Sequence, residues 1–145
     1  SEDAGPGLSV KEVSRGAAYG DYDNDGDLDI IVANLDASPT LLRNDTKSSG
    51  SWLSLRLRDD SGSYNTDAIG AQIELDNGEF SQRREIRTGT SFQAQNDLRQ
   101  YFGLGDKKYV TITVKWPNGL SQKFHNVKAN GFYTLYNGNE TLKLE

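Results

Sequence analysis

Five aspartates at alternate positions are the residues of this sequence best suited to chemistry. They are Asp21, Asp23, Asp25, Asp27 and Asp29, around a glycine at the sixth position of the run. Oxygen ligands at every second residue suit a tight loop that wraps a hard cation, and Ca²⁺ takes about six to eight oxygens. The alternative is a solvated acidic turn, but five clustered carboxylates repel one another and a divalent cation relieves that repulsion. We predict a calcium site in which Asp27 contributes its main-chain carbonyl and the other four aspartates contribute their side chains.

The same run does not fit an EF-hand. An EF-hand places a bidentate Glu at its twelfth position and a helix on each side of the loop. Here the twelfth position is Val32, in a β-branched apolar stretch that begins directly after the last aspartate. The loop is therefore predicted to join two β-strands. Magnesium fits it less well than calcium, because Mg²⁺ demands a strict octahedron and keeps its waters.

Charge and composition exclude several functional classes. The chain has 145 residues and a net charge of −5, and the five aspartates account for all of it, because the other 16 acidic residues equal the 16 basic ones in number. A nucleic-acid-binding domain shows clustered Lys and Arg and a high pI, so no nucleic-acid partner is expected. No apolar run approaches the roughly 20 residues that span a bilayer. The absence of Cys removes thiolate metal sites and cysteine nucleophiles.

Alternation of apolar and polar residues predicts an all-β fold. In residues 52–58 and 110–116 every second residue is apolar, which puts one face of a strand on a core and the other in water, as antiparallel sheets do. Four Asn-Gly pairs, which begin at residues 77, 118, 130 and 137, predict type I′ hairpin turns. The predicted strands are residues 17–20, 28–34, 40–44, 52–58, 71–75, 81–88, 100–104, 110–116, 121–127 and 132–136.

The chain is predicted to contain four segments. Residues 1–12 form a flexible arm, and residues 13–45 form a short unit that carries the aspartate loop. Residues 46–51 contain no apolar side chain and form a linker. Residues 52–145 have about the size of a β-sandwich. The predicted fold is therefore an antiparallel β-sandwich preceded by a small calcium-loop unit. Trp116 and Trp52 are predicted in the core, and the alternative for Trp52 is a position that caps the core or lies at the junction with the calcium-loop unit.

Two parts of the chain resemble known families. The stretch RGAAYGDYDNDGDLDIIVAN at 15–34 resembles one FG-GAP (VCBS) repeat, which implies that residues 13–45 are a partial β-propeller unit with a calcium loop. A propeller needs several blades, so the resemblance also implies upstream FG-GAP blades of the same chain as partners. The motifs DAIGA at 67–71, RREIRTG at 83–89, YFGLG at 101–105 and VKWPNG at 114–119 resemble the ASPIC/UnbV domain. That domain follows FG-GAP repeats in cartilage acidic protein-like and bacterial secreted proteins, and it implies a small β-sandwich.

No constellation of residues favours catalysis. The one imidazole is His125, and alternation places it on the face opposite Phe124, in solvent. We predict a non-catalytic, calcium-binding interaction module that is secreted, periplasmic or on the cell surface, with an extracellular protein or a glycan as partner. The alternative is a carbohydrate-binding module, which would need Tyr101, Tyr133 and Tyr136 in a row on an exposed face.

A polar segment at residues 88–99 is long for a hairpin loop. Long polar loops on a rigid scaffold often bind a ligand. The alternative is a structural loop in which Phe92 packs the segment down and Asp97 pairs with Arg99. A second cation site formed by Asp67 and Asp97 is a further hypothesis.

Overall fold

The structure is a computed structural model, and it describes residues 5–46, 50–62 and 65–145. Within these ranges the chain forms eleven strands and one 3-10 turn, Pro6–Ser9, with no α-helix. The predicted all-β class is confirmed. The described residues contain no helix that is long and apolar enough to cross a membrane.

The chain divides into two compact units. The loop unit contains the described residues of Ser1–Lys47 together with Gly89–Asp97, and the two-sheet unit contains those of Ser48–Thr88 and Leu98–Glu145. Of the predicted linker, residues 47–49 lie outside the described residues, and Ser51 already begins a strand. The predicted arm is described from Gly5 onward and contains the 3-10 turn.

The loop unit contains a three-stranded antiparallel sheet. Its strands β1 (Ser14–Gly20), β2 (Asp29–Asn34) and β3 (Thr40–Leu42) lie in that order. Gly20 pairs with Asp29, so the aspartate run is the connection between two paired strands, as predicted. A propeller blade has four strands, and the propeller character of this unit remains a prediction.

The two-sheet unit contains eight strands in two four-stranded sheets. The first sheet has the order β11-β10-β4-β7 and the second β6-β5-β8-β9. The strands are β4 (Ser51–Arg58), β5 (Gln72–Asp76), β6 (Ser81–Glu85), β7 (Gln100–Gly105), β8 (Tyr109–Lys115), β9 (Ser121–Lys128), β10 (Phe132–Tyr136) and β11 (Lys143–Leu144).

The two sheets share one hydrophobic core. Leu53, Leu55 and Leu57 of β4 and Ile112 of β8 belong to the same buried cluster. Trp116 is buried in that cluster, as predicted. Alternate residues of β4 and of β8 therefore face the core, which is what the period-two pattern predicts.

Sheet topology departs from the prediction at one place. β10 pairs with β4 in parallel, with Leu135 opposite Leu57, so the first sheet is mixed and not purely antiparallel. The chain reaches β10 from β9, which lies in the other sheet. Apolar alternation is the same in parallel and antiparallel strands, and it carries no information about the direction of a partner.

The prediction of type I′ turns at the Asn-Gly pairs is wrong. A type I′ turn needs positive φ at both central residues, whereas each pair has positive φ at one residue only, for example at Gly78 (φ 89°) but not at Asn77. The loop between β5 and β6 is longer than two residues, and the Asn77 Oδ1 accepts from the amides of Glu79 and Phe80. The Asn77 side chain therefore closes this turn through its hydrogen bonds to the main chain.

The prediction of a core position for Trp52 is also wrong. Trp52 is half-buried and lies edge-on to Phe132, with their ring centroids 4.9 Å apart. It precedes Leu53, which points into the core. Successive side chains of a strand point to opposite faces, so Trp52 lies on the outer face of its sheet.

Candidate metal centre

The aspartate loop is held between β1 and β2 by its own carboxylates. Asp21 and Asp29 are each only 2% exposed. The Asp21 carboxylate accepts from the amides of Asp25 (3.1 Å) and Gly26 (3.0 Å). Gly26 has φ 100°, in the left-handed region that favours glycine. Gly26 therefore allows the sharp turn of the loop, as the sequence indicated.

A residue beyond the aspartate run also fixes the loop. The Asp29 carboxylate accepts from the amide of Tyr22 at 2.9 Å and from that of Asn44 at 2.8 Å. Asn44 follows β3, so all three strands of the sheet contribute to the position of Asp29. The sequence held no signal for this contact, because it depends on the pairing of β3 with β2.

Three of the five aspartates converge. Asp21, Asp23 and Asp29 each offer a carboxylate oxygen, and these oxygens lie within 4.8 Å of one another. It is the single group of three or more acidic or imidazole side chains of this kind within the described ranges. The group could hold a metal ion. Two buried carboxylates and one exposed carboxylate leave one side of the group open to solvent.

Asp25 and Asp27 stand outside this group. The Asp25 carboxylate is exposed and accepts from the Asp27 amide at 3.1 Å. The Asp27 Oδ1 is buried and has no hydrogen-bond partner among the described residues. Burial raises the pKa of the Asp27 carboxyl above its usual value, and repulsion by the other four aspartates raises it further. A buried carboxylate oxygen without a donor fits a cation site, because a cation would supply the missing charge.

The polar segment Gly89–Asp97 packs against β1 within the loop unit. The Asp97 amide donates to the Tyr19 carbonyl, and the Tyr19 amide donates to the Asn96 Oδ1, both at 3.0 Å. The Ser91 hydroxyl donates to the Ala17 carbonyl at 2.6 Å. Phe92 is 63% exposed, so it does not pack the segment down. Hydrogen bonds that involve the main chain, the Asn96 side chain and the Ser91 hydroxyl hold the segment instead.

The second cation site of Asp67 and Asp97 stays a prediction. Asp67 accepts from Arg58 at 2.7 Å in the two-sheet unit, while Asp97 belongs to the loop unit. His125 is exposed on β9, opposite in direction to the buried Phe124, as predicted.

The three tyrosines that the carbohydrate-binding alternative would need in a row do not share one face. Tyr133 packs against the core, and its burial raises the pKa of its hydroxyl. In the parallel register Tyr133 is opposite Leu55, whereas Tyr136 is opposite Arg58 and Tyr101 pairs with Ser54. Tyr133 therefore lies on the inner face of the sheet and the other two on the outer face.

Comparison with known proteins identifies the region that follows the aspartate loop. Residues 61–142, more than half of the chain, match the family described as ASPIC and UnbV. The match contains both the segment Gly89–Asp97 and most of the two-sheet unit. No curated protein matches the chain. The chain therefore belongs to the ASPIC and UnbV family.

Proposed function

We propose that the chain is a non-catalytic, calcium-binding interaction module of an extracellular or periplasmic protein. The observation that carries the proposal is the convergence of Asp21, Asp23 and Asp29, whose oxygens lie within 4.8 Å of one another. Carboxylate oxygens are ligands that Ca²⁺ prefers, and Ca²⁺ tolerates irregular coordination geometry. The unpartnered, buried Asp27 Oδ1 beside them supports a cation in the same loop.

The chemistry of such a site is structural. A bound Ca²⁺ would offset the mutual repulsion of five carboxylates and hold the turn between β1 and β2 in one conformation. Calcium sites of extracellular modules have Kd values of about 10⁻⁴–10⁻³ M, which is the range we expect here. This range suits secretion, the periplasm or the cell surface, where calcium is abundant.

Calcium titration of single variants tests the proposal. Isothermal titration of the chelator-treated protein with Ca²⁺ should show one site, and with Mg²⁺ a weaker one or none. Asp23→Asn should weaken calcium binding by about tenfold or more, because it removes one of three charged ligands. Asp23 is exposed, so the variant should fold.

The matched control is Asp36→Asn in the same unit. Asp36 is exposed and has φ 55°, a conformation that Asn adopts readily. This variant should bind calcium like the parent protein. Absence of heat and of a thermal shift at millimolar Ca²⁺ would refute the proposal, and so would equal weakening by both variants.

We further propose that residues 13–45 are an FG-GAP unit that packs against upstream blades of the same polypeptide. Ile30 and Leu42 lie opposite each other in the sheet, as do Ile31 and Leu41, so both faces are apolar. Ile30, Ile31 and Leu41 are exposed, which is typical of a surface that a neighbour covers. In a longer protein that includes the preceding repeats, amide exchange in β2 and β3 should slow. Unchanged exchange there would contradict this assignment.

A further inference from the structure

The segment Gly89–Asp97 covers the open edge of β1. In its sheet β1 lies at the edge and pairs with β2. The main-chain groups of alternate residues point to the same side of a strand, and those of Ala17 and Tyr19 bond to this segment. The Tyr19 amide donates to the Asn96 Oδ1, and the Tyr19 carbonyl accepts from the Asp97 amide, both at 3.0 Å. The Ala17 carbonyl accepts from a hydroxyl of the same segment, so the segment takes the place of a neighbouring strand.

Hydrogen bonds inside the segment hold it in shape. Asn96 is 8% exposed, and its Nδ2 donates to the Thr90 hydroxyl at 2.7 Å. The Gly89 amide donates to the Gln95 Oε1, also at 2.7 Å. A partly buried main-chain amide such as that of Tyr19 is costly to leave without an acceptor. Asn96 therefore joins the segment to β1 through a side chain that is already fixed in position.

The segment ends beside the aspartate loop. Gly20 is the last residue of β1 and directly precedes Asp21. A Cβ at Gly20 would lie 3.3 Å from the Asp97 Cβ, so the segment packs against this residue. On its other side Gly20 pairs with Asp29 of β2. Asp21 and Asp29 are two of the three residues whose carboxylate oxygens lie within 4.8 Å of one another. The end of β1 therefore lies between the segment and the candidate cation site.

Attachment of the segment and binding of a cation favour the same conformation of β1. Pairing of the end of β1 with β2 brings Asp21 and Asp29 together, and the segment holds that strand end from its open edge. Repulsion among the clustered carboxylates opposes the same pairing, and a cation offsets it. A ligand that binds one conformation better shifts the equilibrium toward that conformation. The coupling is reciprocal, so each event strengthens the other by the same factor.

We propose that Gly89–Asp97 is a clamp that positions the aspartate loop, so that calcium binding and attachment of the clamp to β1 strengthen each other. The clamp lies within residues 61–142, which match the ASPIC and UnbV family, whereas the aspartates precede that match. Asn96 and Asp97 hold the main chain of β1, so they are positioning residues and not ligands. The inference rests on the proposed calcium site and adds that residues of the family domain set its affinity.

Hydrogen exchange with and without calcium tests the clamp. In the full chain, saturating Ca²⁺ should slow exchange at the amides of Tyr19 and Asp97 by about fivefold or more relative to chelator-treated protein, which is the lower end of typical coupling between two sites. The Leu35 amide donates to the Val13 carbonyl at the other end of the sheet. It is the internal control, and its exchange should slow less.

The outcomes separate the clamp from the calcium site. Calcium binding with unchanged exchange at Tyr19 and Asp97 would refute the clamp and leave the calcium site in place. Equal slowing at Leu35 would do the same, because it would indicate a general stabilisation of the unit. Absence of calcium binding by the parent protein would refute the proposed function and the clamp together.

Variants on both sides of the contact test the reciprocal effect. Asn96→Ala removes the acceptor of the Tyr19 amide and should weaken calcium binding in isothermal titration by about fivefold or more, in line with the slowing of exchange. Gly16→Ala acts from β1, where a Cβ would lie 2.5 Å from the Phe92 carbonyl oxygen. It should weaken calcium binding in the same direction.

Phe92→Ala is the matched control for these variants. It changes the same segment at a side chain that is 63% exposed, so it should bind calcium like the parent protein. Protection of the Leu35 amide in each variant shows that the loop unit is folded. Equal weakening of calcium binding in Phe92→Ala, or parental affinity in both Asn96→Ala and Gly16→Ala, would contradict the clamp.

Discussion

At the scale of single residues, two carboxylates show how the surroundings decide the role of an acidic side chain. Asp59 is buried but accepts hydrogen bonds at both of its oxygens, and its pKa is lowered. Asp27 has a buried oxygen with no donor, and its pKa is raised. Hydrogen bonds within the protein therefore satisfy the Asp59 carboxylate, which stabilises the fold. The Asp27 Oδ1 has no such hydrogen bond and lies in the loop of the proposed cation site.

Asp59 is expected to make stability depend on pH in the acidic range. A carboxyl with a lowered pKa contributes stability that is fully present above its unfolded value of 3.8 and is lost as the pH falls through the lowered value. Asp59→Asn should therefore lower the urea midpoint of the two-sheet unit at neutral pH and flatten its decline below pH 3.8. Asp106→Asn, at an exposed position, should behave like the parent protein. An unchanged pH profile for Asp59→Asn would contradict the role assigned to this carboxylate.

At the scale of elements, the segment Gly89–Asp97 is the least expected feature of the fold. It interrupts the sequence of the two-sheet unit and yet packs on β1 through hydrogen bonds to Ala17 and Tyr19. Close approach of the segment requires a small residue at Gly16, where a Cβ would lie 2.5 Å from the Phe92 carbonyl oxygen. A long polar stretch in the sequence is therefore a docked element and not a free loop.

Gly16→Ala is expected to weaken the docking of this segment. The added methyl group must displace the main chain at Phe92, and overpacking of this kind typically costs about 1–3 kcal/mol. Hydrogen exchange should become faster at the amides of Tyr19 and Asp97, which donate across the contact. Gly103→Ala is the matched control, because a Cβ there meets nothing within 4 Å. If hydrogen exchange at these two amides is unchanged in Gly16→Ala, the packing of the segment does not depend on its close approach to Gly16.

At the scale of the whole molecule, most of the stability is expected to come from the core of the two-sheet unit. The parallel pairing of β4 with β10 joins the beginning of that unit to a strand near its end. Contacts so far apart in sequence close a long loop, which slows folding. Leu135 of β10 is fully buried at this pairing and belongs to the shared core.

Leu135→Ala should reduce the free energy of unfolding by about 2–5 kcal/mol, because it leaves a cavity between the sheets. Urea titration followed by tryptophan fluorescence measures the loss. Leu120→Ala makes the same chemical change at a residue that is 40% exposed, and surface substitutions usually change stability by about 0.5 kcal/mol or less. Similar losses in the two variants would contradict the central place of β10 in the core.

The sequence by itself determined the features that depend on local pattern. Each of the ten predicted strands overlaps an observed one, and the one strand of the described residues without a predicted counterpart is the two-residue β11. The aspartate loop between two strands, the turn at Gly26 and the family of the following region were also predictable. Period-two alternation, glycine conformation and motif spacing are properties of adjacent residues, so they can be read without a fold.

Only the tertiary structure decided which distant residues meet. Three contacts join parts of the chain that carry no local signal for one another. They are the parallel pairing of β4 with β10, the packing of Gly89–Asp97 on β1, and the hydrogen bond from the Asn44 amide to the Asp29 carboxylate. The same holds for the convergence of three aspartates out of five. Such contacts follow from the packing of whole sheets, because a strand's alternation fixes its buried face but not its neighbour.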